Sequence, residues 1–122
     1  MRPLGVLFIS LIIVGCGGQK PVSYRDQIQP ILNNRCIRCH GSEVHRRHVV
    51  VTSYEDFMNS RTTSGNEPLV IPGNPAQSRL YILCSTSQAH FRMPPDTSGI
   101  TPLPANELEL LGKWIMQGAK DN

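Results

Sequence analysis

The tightest constraint in this chain is the stretch Cys36-Ile37-Arg38-Cys39-His40. Two thiols three positions apart share one helical turn, and an imidazole follows the second directly. Both sulfurs of such a clasp can add to the vinyl groups of a porphyrin while the ring nitrogen reaches the iron, so the stretch reads as a c-type haem attachment site. A zinc ligand pair, a redox Cys-x-x-Cys pair or a chance spacing would use the same two thiols. Those readings do not require the histidine that stands immediately after them.

Length and composition fit a chain built around a cofactor. With 122 residues, 39% hydrophobic and only 6% aromatic, there is enough for one small domain with a modest core. A planar cofactor in the middle would supply apolar surface that the side chains do not. The formal net charge is +3, but Arg2 lies in a segment expected to be removed and a haem would bring two propionates. The remaining balance is close to zero, and with no basic run or arginine-rich helix a nucleic-acid footprint is not expected. The four cysteines are Cys16, Cys36, Cys39 and Cys84. An even count in a small exported chain raises the question of a disulfide framework, but three of these four have other uses.

Met1 to Cys16 reads as a targeting segment. Arg2 precedes an apolar run from Leu4 to Val14, too short to span a bilayer and about the length of a signal-peptide hydrophobic region. Its end, Ile13-Val14-Gly15-Cys16, resembles the bacterial lipobox, with an aliphatic residue three places before the cysteine and a small one just before it; Ile13 stands where Leu is usual. That resemblance implies a signal peptide over residues 1–15, acylation of Cys16, a lipidated tether over 16–22 and a folded domain over 23–122. An ordinary secretory signal or an uncleaved anchor is the alternative. Acyl chains would hold the domain on a membrane surface. Gly17, not an aspartate, follows the cysteine, which in enteric-type sorting permits the outer membrane.

The helices are marked by their caps and periods. Ser23 with Asp26 forms a capping-box-like start, and Ile28, Ile31, Leu32 and Cys36 repeat on one face, with a kink or a second start at Pro30. Gly41 is placed to stop this helix after the clasp. Gly41 to Arg47 is polar and reads as a solvated loop, with His45 and His48 on either side of Arg46-Arg47 not read as ligands, and Val49 to Thr52 reads as an extended segment. Ser53 and Asp56 predict a short helix from Tyr54 to Asn59. Asn74 and Pro75 predict another to about Ser85, with Leu80, Leu83 and Cys84 on one face. A last helix is predicted from Ala105 to Gln117, ended by Gly118, with Trp114 in the core and Gly112 permitting close packing. Met58 and Met116 read as packing residues. The loop Val70 to Pro75 is the natural supplier of a backbone carbonyl to His40, with Pro72 the candidate.

His90-Phe91-Arg92-Met93-Pro94-Pro95 is irregular and stiffened by two prolines. Met93 lies on no periodic face, and a thioether held on such a loop suits the far side of a haem iron. His90 is its competitor and would give a bis-histidine iron.

Taken together, Tyr24 to Leu32, Cys36 to Gly41, Val70 to Pro75, Ser78 to Tyr81, Met93 to Pro95, Leu110-Leu111, Trp114-Ile115 and Gly118-Ala119 resemble the small class I cytochrome c domains, most closely those of planctomycetes and related bacteria. The resemblance implies an all-α, cytochrome c-like fold wrapped around one covalent haem c. It also implies thioethers from Cys36 and Cys39, His40 as proximal and Met93 as distal iron ligand, and haem attachment outside the cytoplasm. Cys84 is not needed by the pattern and reads as a buried free thiol.

The expected function is an electron carrier and not an enzyme: an exported, membrane-anchored mono-haem cytochrome, in the cell envelope facing the periplasm or outside. Its partners would be other exported redox proteins docking transiently at the haem edge. A haem-based gas sensor or a cytochrome subunit of an oxidoreductase complex, with a displaceable Met93, is the first alternative. A zinc module built from Cys36, Cys39, Cys84 and His40 or His90 is the second.

Overall fold

A computed structural model describes residues 17–44 and 46–122. The signal peptide expected over 1–15, the acylated Cys16 and the loop residue His45 lie outside the described residues. Among the described residues there is no strand, and one isolated antiparallel bridge joins Arg61 to Pro68. The fold is all-α, as expected.

The first helical stretch is divided by its sequence. Ser23 Oγ accepts the Asp26 N–H at 3.1 Å, so the cap forms at the expected position. The opening turn, Tyr24–Ile28, is wide: the Ile28 N–H reaches back to the Ser23 carbonyl at 3.3 Å. Regular helix α1 then runs over Gln29–Arg35 with Pro30 in its first turn, where a missing N–H costs nothing. Cys36 breaks the run (φ −121°), and α2, Ile37–His40, carries the second thiol and the imidazole. The second thiol and the imidazole therefore sit on their own short helix, with Cys36 as its N-cap.

The remaining helices are α3 (Tyr54–Asn59), α4 (Arg79–Ser85) and α5 (Ala105–Met116). Ser53 caps α3 through the Asp56 N–H at 3.1 Å. Asn74 caps a single 3₁₀ turn, Pro75–Gln77, which leads into α4. None of the described helices is long and apolar enough to cross a membrane.

The core forms where the opening turn, α3 and α5 meet. Phe57 and Ile28 are fully buried, and Trp114 is 1% exposed. Tyr24 meets Tyr54 edge-on at 5.1 Å, and Phe57 stacks on Trp114 at 6.1 Å between centroids. Trp114 does not line the cavity described below, so it packs against the opening turn and α3 and not against a cofactor. Its indole N–H donates to the Lys120 carbonyl at 2.9 Å. Truncating one such aromatic costs about 3–5 kcal/mol.

Two contacts lock α5 in place. A Cβ at Gly112 would stand 3.0 Å from Tyr81 Cε2, so the missing side chain is what lets α4 and α5 approach. Beyond the helix, Gly118 takes φ 102° and turns the chain, and the Ala119 N–H then returns to the Trp114 carbonyl at 2.9 Å. One packing expectation fails. Met116 is 62% exposed, because its place on α5 faces away from α4 and the opening turn, whereas Met58 does pack against the core.

Asn122 ties the two ends of the domain together. Its side-chain oxygen accepts the Tyr24 N–H at 2.9 Å, and its carbonyl accepts the Arg25 N–H at 3.1 Å and the Ser23 hydroxyl at 2.9 Å. Gln117 Oε1 accepts the Val22 N–H at 2.8 Å.

Candidate haem site

A cavity of about 760 Å³ opens between α2, α4 and the loop after α4. Cys36, Cys39 and His40 line it from one side, and Met93, Pro94 and Pro95 are also in its wall. Val49, Val51, Leu69, Leu80, Leu83 and Ile100 make the rest largely apolar. This volume lies within the range of ligand and cofactor pockets, about 300–1,000 Å³.

The thiols are placed by α1 and α2. Arg35, the last residue of α1, forms a two-pronged pair with Glu107 of α5: Nε donates to Oε2 at 3.0 Å and Nη2 to Oε1 at 3.1 Å. Its Nη1 donates to Thr101 Oγ1 at 2.5 Å. This anchor immediately precedes Cys36. Burial pushes the Cys36 thiol up to about 12; the Arg35 charge opposes this, and Cys39 and Glu107 reinforce it. A redox dithiol works through a thiol held low, so this environment speaks against that reading.

His40 is half-buried, and burial holds its imidazole below its usual range, against the opposing carbonyls of Arg46 and Val49. The ring is therefore neutral at neutral pH, the form that binds a metal. Its Nδ1 lies 3.1 Å from the Arg46 carbonyl. With Nδ1–H donating there, Nε2 keeps its lone pair for an axial bond.

The expected carbonyl donor, Pro72, is corrected by this bond. Pro72 is exposed and does not line the cavity. Its loop serves α5 instead: the Gly73 N–H donates to the Ile115 carbonyl at 2.7 Å, beside the Gly118 N–H that donates to the same oxygen at 3.0 Å. Ser78, fully buried, closes the same loop by accepting the Ile71 N–H at 2.9 Å and donating to the Asn74 carbonyl at 2.8 Å. Arg46 takes the role at His40 because the following Arg47 and His48 adopt positive φ (57° and 59°), folding the chain back over α2.

Met93 is fixed through its backbone. Its N–H donates to the Leu83 carbonyl at 2.9 Å, joining the loop to the last turn of α4. Arg92 and Asp96 pair across Met93-Pro94-Pro95, and Pro94 is buried. His90 also lines the cavity and is exposed. Cys84 is buried, free and in the cavity wall; burial, and then neighbouring Cys36, push its thiol up to about 12.

The residues suit a covalently held haem: an apolar cavity brings two free thiols and a neutral imidazole together with a thioether in its wall. They do not suit a structural zinc. Among the described residues no group of three or more His, Cys, Asp or Glu side chains is placed to hold a metal ion, whereas a closed zinc site needs four ligands.

Fold and site thus define a helical protein of the covalent haem-binding class. The chain belongs to the planctomycete cytochrome c family: the family model described as "Planctomycete cytochrome C" matches residues 36–97, half of the chain, from the first thiol of the clasp to just past Met93. No curated protein and no solved structure was found to match it. Membership of this family implies covalent haem c and points to electron transfer and not to an enzyme's turnover.

Arg46, Leu83 and the Arg35–Glu107 pair are the working parts that sequence reasoning missed. Two of them act through backbone carbonyls, which any residue carries. The third joins side chains 72 positions apart.

Proposed function

We propose that this protein is an exported, membrane-anchored mono-haem c-type cytochrome that carries single electrons between redox partners. The observation that carries the reading is the shared cavity of Cys36, Cys39, His40 and Met93. Cys36 and Cys39 would hold one haem covalently there, and His40 and Met93 would bind its iron. When bound, the haem iron supplies one-electron exchange between ferrous and ferric states.

The chain's own residues orient and protect. The Arg46 carbonyl fixes the His40 tautomer, and Arg35 with Glu107 fixes the start of the clasp. The Leu83 carbonyl and the Arg92–Asp96 pair hold the backbone on either side of Met93. The apolar side chains of the wall would keep water from the bound group, and with His40 and Met93 both holding the iron no place would be left on it for a substrate. Cys16 carries the lipid and residues 17–21 form the tether, Val22 being already buried in the core, which places the domain in the cell envelope, facing the periplasm or outside.

The test is the visible spectrum and intact mass of the protein exported with haem-maturation machinery. The expected result is a mass increase of one haem, a sharp reduced α-band, and the weak near-red band of an iron–thioether bond in the oxidised form. Carbon monoxide binding to the ferrous protein at neutral pH would instead favour the sensor reading. A colourless protein would overturn both.

A further inference from the structure

The side chains around the cavity are not electrically balanced. Five arginines line it, Arg35, Arg46, Arg47, Arg61 and Arg79, and not one Asp or Glu does, although the chain carries nine acidic side chains. Glu107 offsets Arg35 from outside the lining, and two haem propionates would offset two more charges. The mouth stays cationic after all three.

These charges are also available. Arg46, Arg47 and Arg79 are exposed, and none of them forms an ion pair among the described residues. Arg61 is half-buried and donates one nitrogen to the Met58 and Ser60 carbonyls. Phe91, in the wall of the same cavity, is 60% exposed. An exposed large apolar side chain and unpaired charges around one cavity are the components of a transient protein interface, apolar at its centre and polar at its edge. Charge of one sign on such a rim speeds encounter with a partner of the other sign.

We propose that Arg46, Arg47, Arg61 and Arg79, with Phe91 among them, form the docking face for an acidic electron-transfer protein, which seats over the cavity mouth. This rests on the haem reading above and names the chemistry of the partner at that site. A short-lived complex suits the task, since a carrier has to release one partner before it meets the next.

The test uses the haem-loaded protein and plastocyanin, an acidic blue-copper protein, as the probe. Second-order electron-transfer rates are read by stopped flow at rising ionic strength, with the reduction potential of each variant measured on the same samples. The wild-type rate should fall about tenfold or more as the screening length shortens from about 30 Å to about 8 Å. Replacing Arg47 and Arg79 together by Gln (R47Q/R79Q) should lower the low-salt rate several-fold and flatten the salt dependence. The lysine variant R47K/R79K should keep both. The control R25Q/K120Q, away from the cavity, should behave as wild type. Equal rates for the glutamine variant and wild type, or an equal loss in the control, would overturn the proposal. So would a glutamine variant that keeps its rate with plastocyanin but no longer binds phosphatidylglycerol vesicles, since the face would then belong to lipid. A protein without a haem α-band fails earlier and takes the haem reading down with it; a protein with the band and a salt-independent rate overturns the docking face alone.

Discussion

The Met93 N–H donates to the Leu83 carbonyl at 2.9 Å. Leu83 is in the last turn of α4, where a helix leaves its carbonyls without partners. One bond therefore completes the helix and fixes the residue proposed as distal ligand. The side chain of Leu83 lines the same cavity, so the helix face and the loop behind it are set by one strut.

Replacing Met93 with Ala should remove the near-red thioether band while leaving covalent haem in place. The reduction potential should fall by on the order of a tenth or more of the ~0.8 V that axial ligands command. Spectroelectrochemistry of the two proteins checks this. His90 lines the same cavity, so M93A should show a bis-histidine spectrum, and M93A/H90A should bind carbon monoxide readily.

Arg35→Gln should destabilise the haem-loaded protein by about 1–3 kcal/mol, since the lost bonds are charge-assisted and both side chains are only about a fifth exposed. Glu107→Gln should cost a similar amount. The double variant should cost much less than the sum, because the two residues share one interaction. Denaturant midpoints for the four proteins complete the cycle.

Gly112→Ala sets two effects against each other. Alanine gains about 1 kcal/mol of helix propensity, but its Cβ would meet the Tyr81 ring at 3.0 Å. Overpacking of this kind costs about 1–3 kcal/mol. A net loss of about 1 kcal/mol is expected from thermal unfolding, and Gly112→Leu should lose far more. If G112A proves more stable than wild type, Tyr81 is free to swing aside.

Tyr24 gives the fold an alkaline limit. Burial, followed by the charge of Asp121 and then Tyr54, pushes its hydroxyl from 10.0 up to about 12. The unfolded chain releases this proton first, so above pH 10 the unfolded state binds fewer protons than the folded one. The stability held by the buried phenol is complete below pH 10 and is lost as pH rises to 12. Urea unfolding across this window should show a steeper decline in wild type than in Tyr24→Phe. The variant carries a constant offset from the lost 2.6 Å bond to Gln29 Oε1.

Much of this was legible in the sequence because it is written in local chemistry. Ser23, Ser53 and Asn74 cap their helical turns through their own side chains, so the starts could be read within four residues. The spacing of Leu80, Leu83 and Cys84 put them on one face, and that face lines the cavity. Pro72 failed because the bond to His40 depends on where a turn with two positive φ values brings a carbonyl, and no residue type at Arg46 announces it. Met116 failed because helical period gives faces but not which face has a neighbour. The charge balance misled in a similar way. A formal +3 spread along the chain looks unremarkable, and only the fold gathers five arginines around one opening.

The bonds between Asn122 and residues 23–25 have a mechanical consequence. If the domain hangs from a lipid through residues 17–21, any pull on that leash is met first at Val22 to Arg25, by hydrogen bonds to Gln117 and Asn122. These bonds lie between the leash and Cys36 along the chain. Drag on a domain so held would be taken up by α5 and the residues that follow it, and the geometry around Cys36, Cys39 and His40 would be left unloaded.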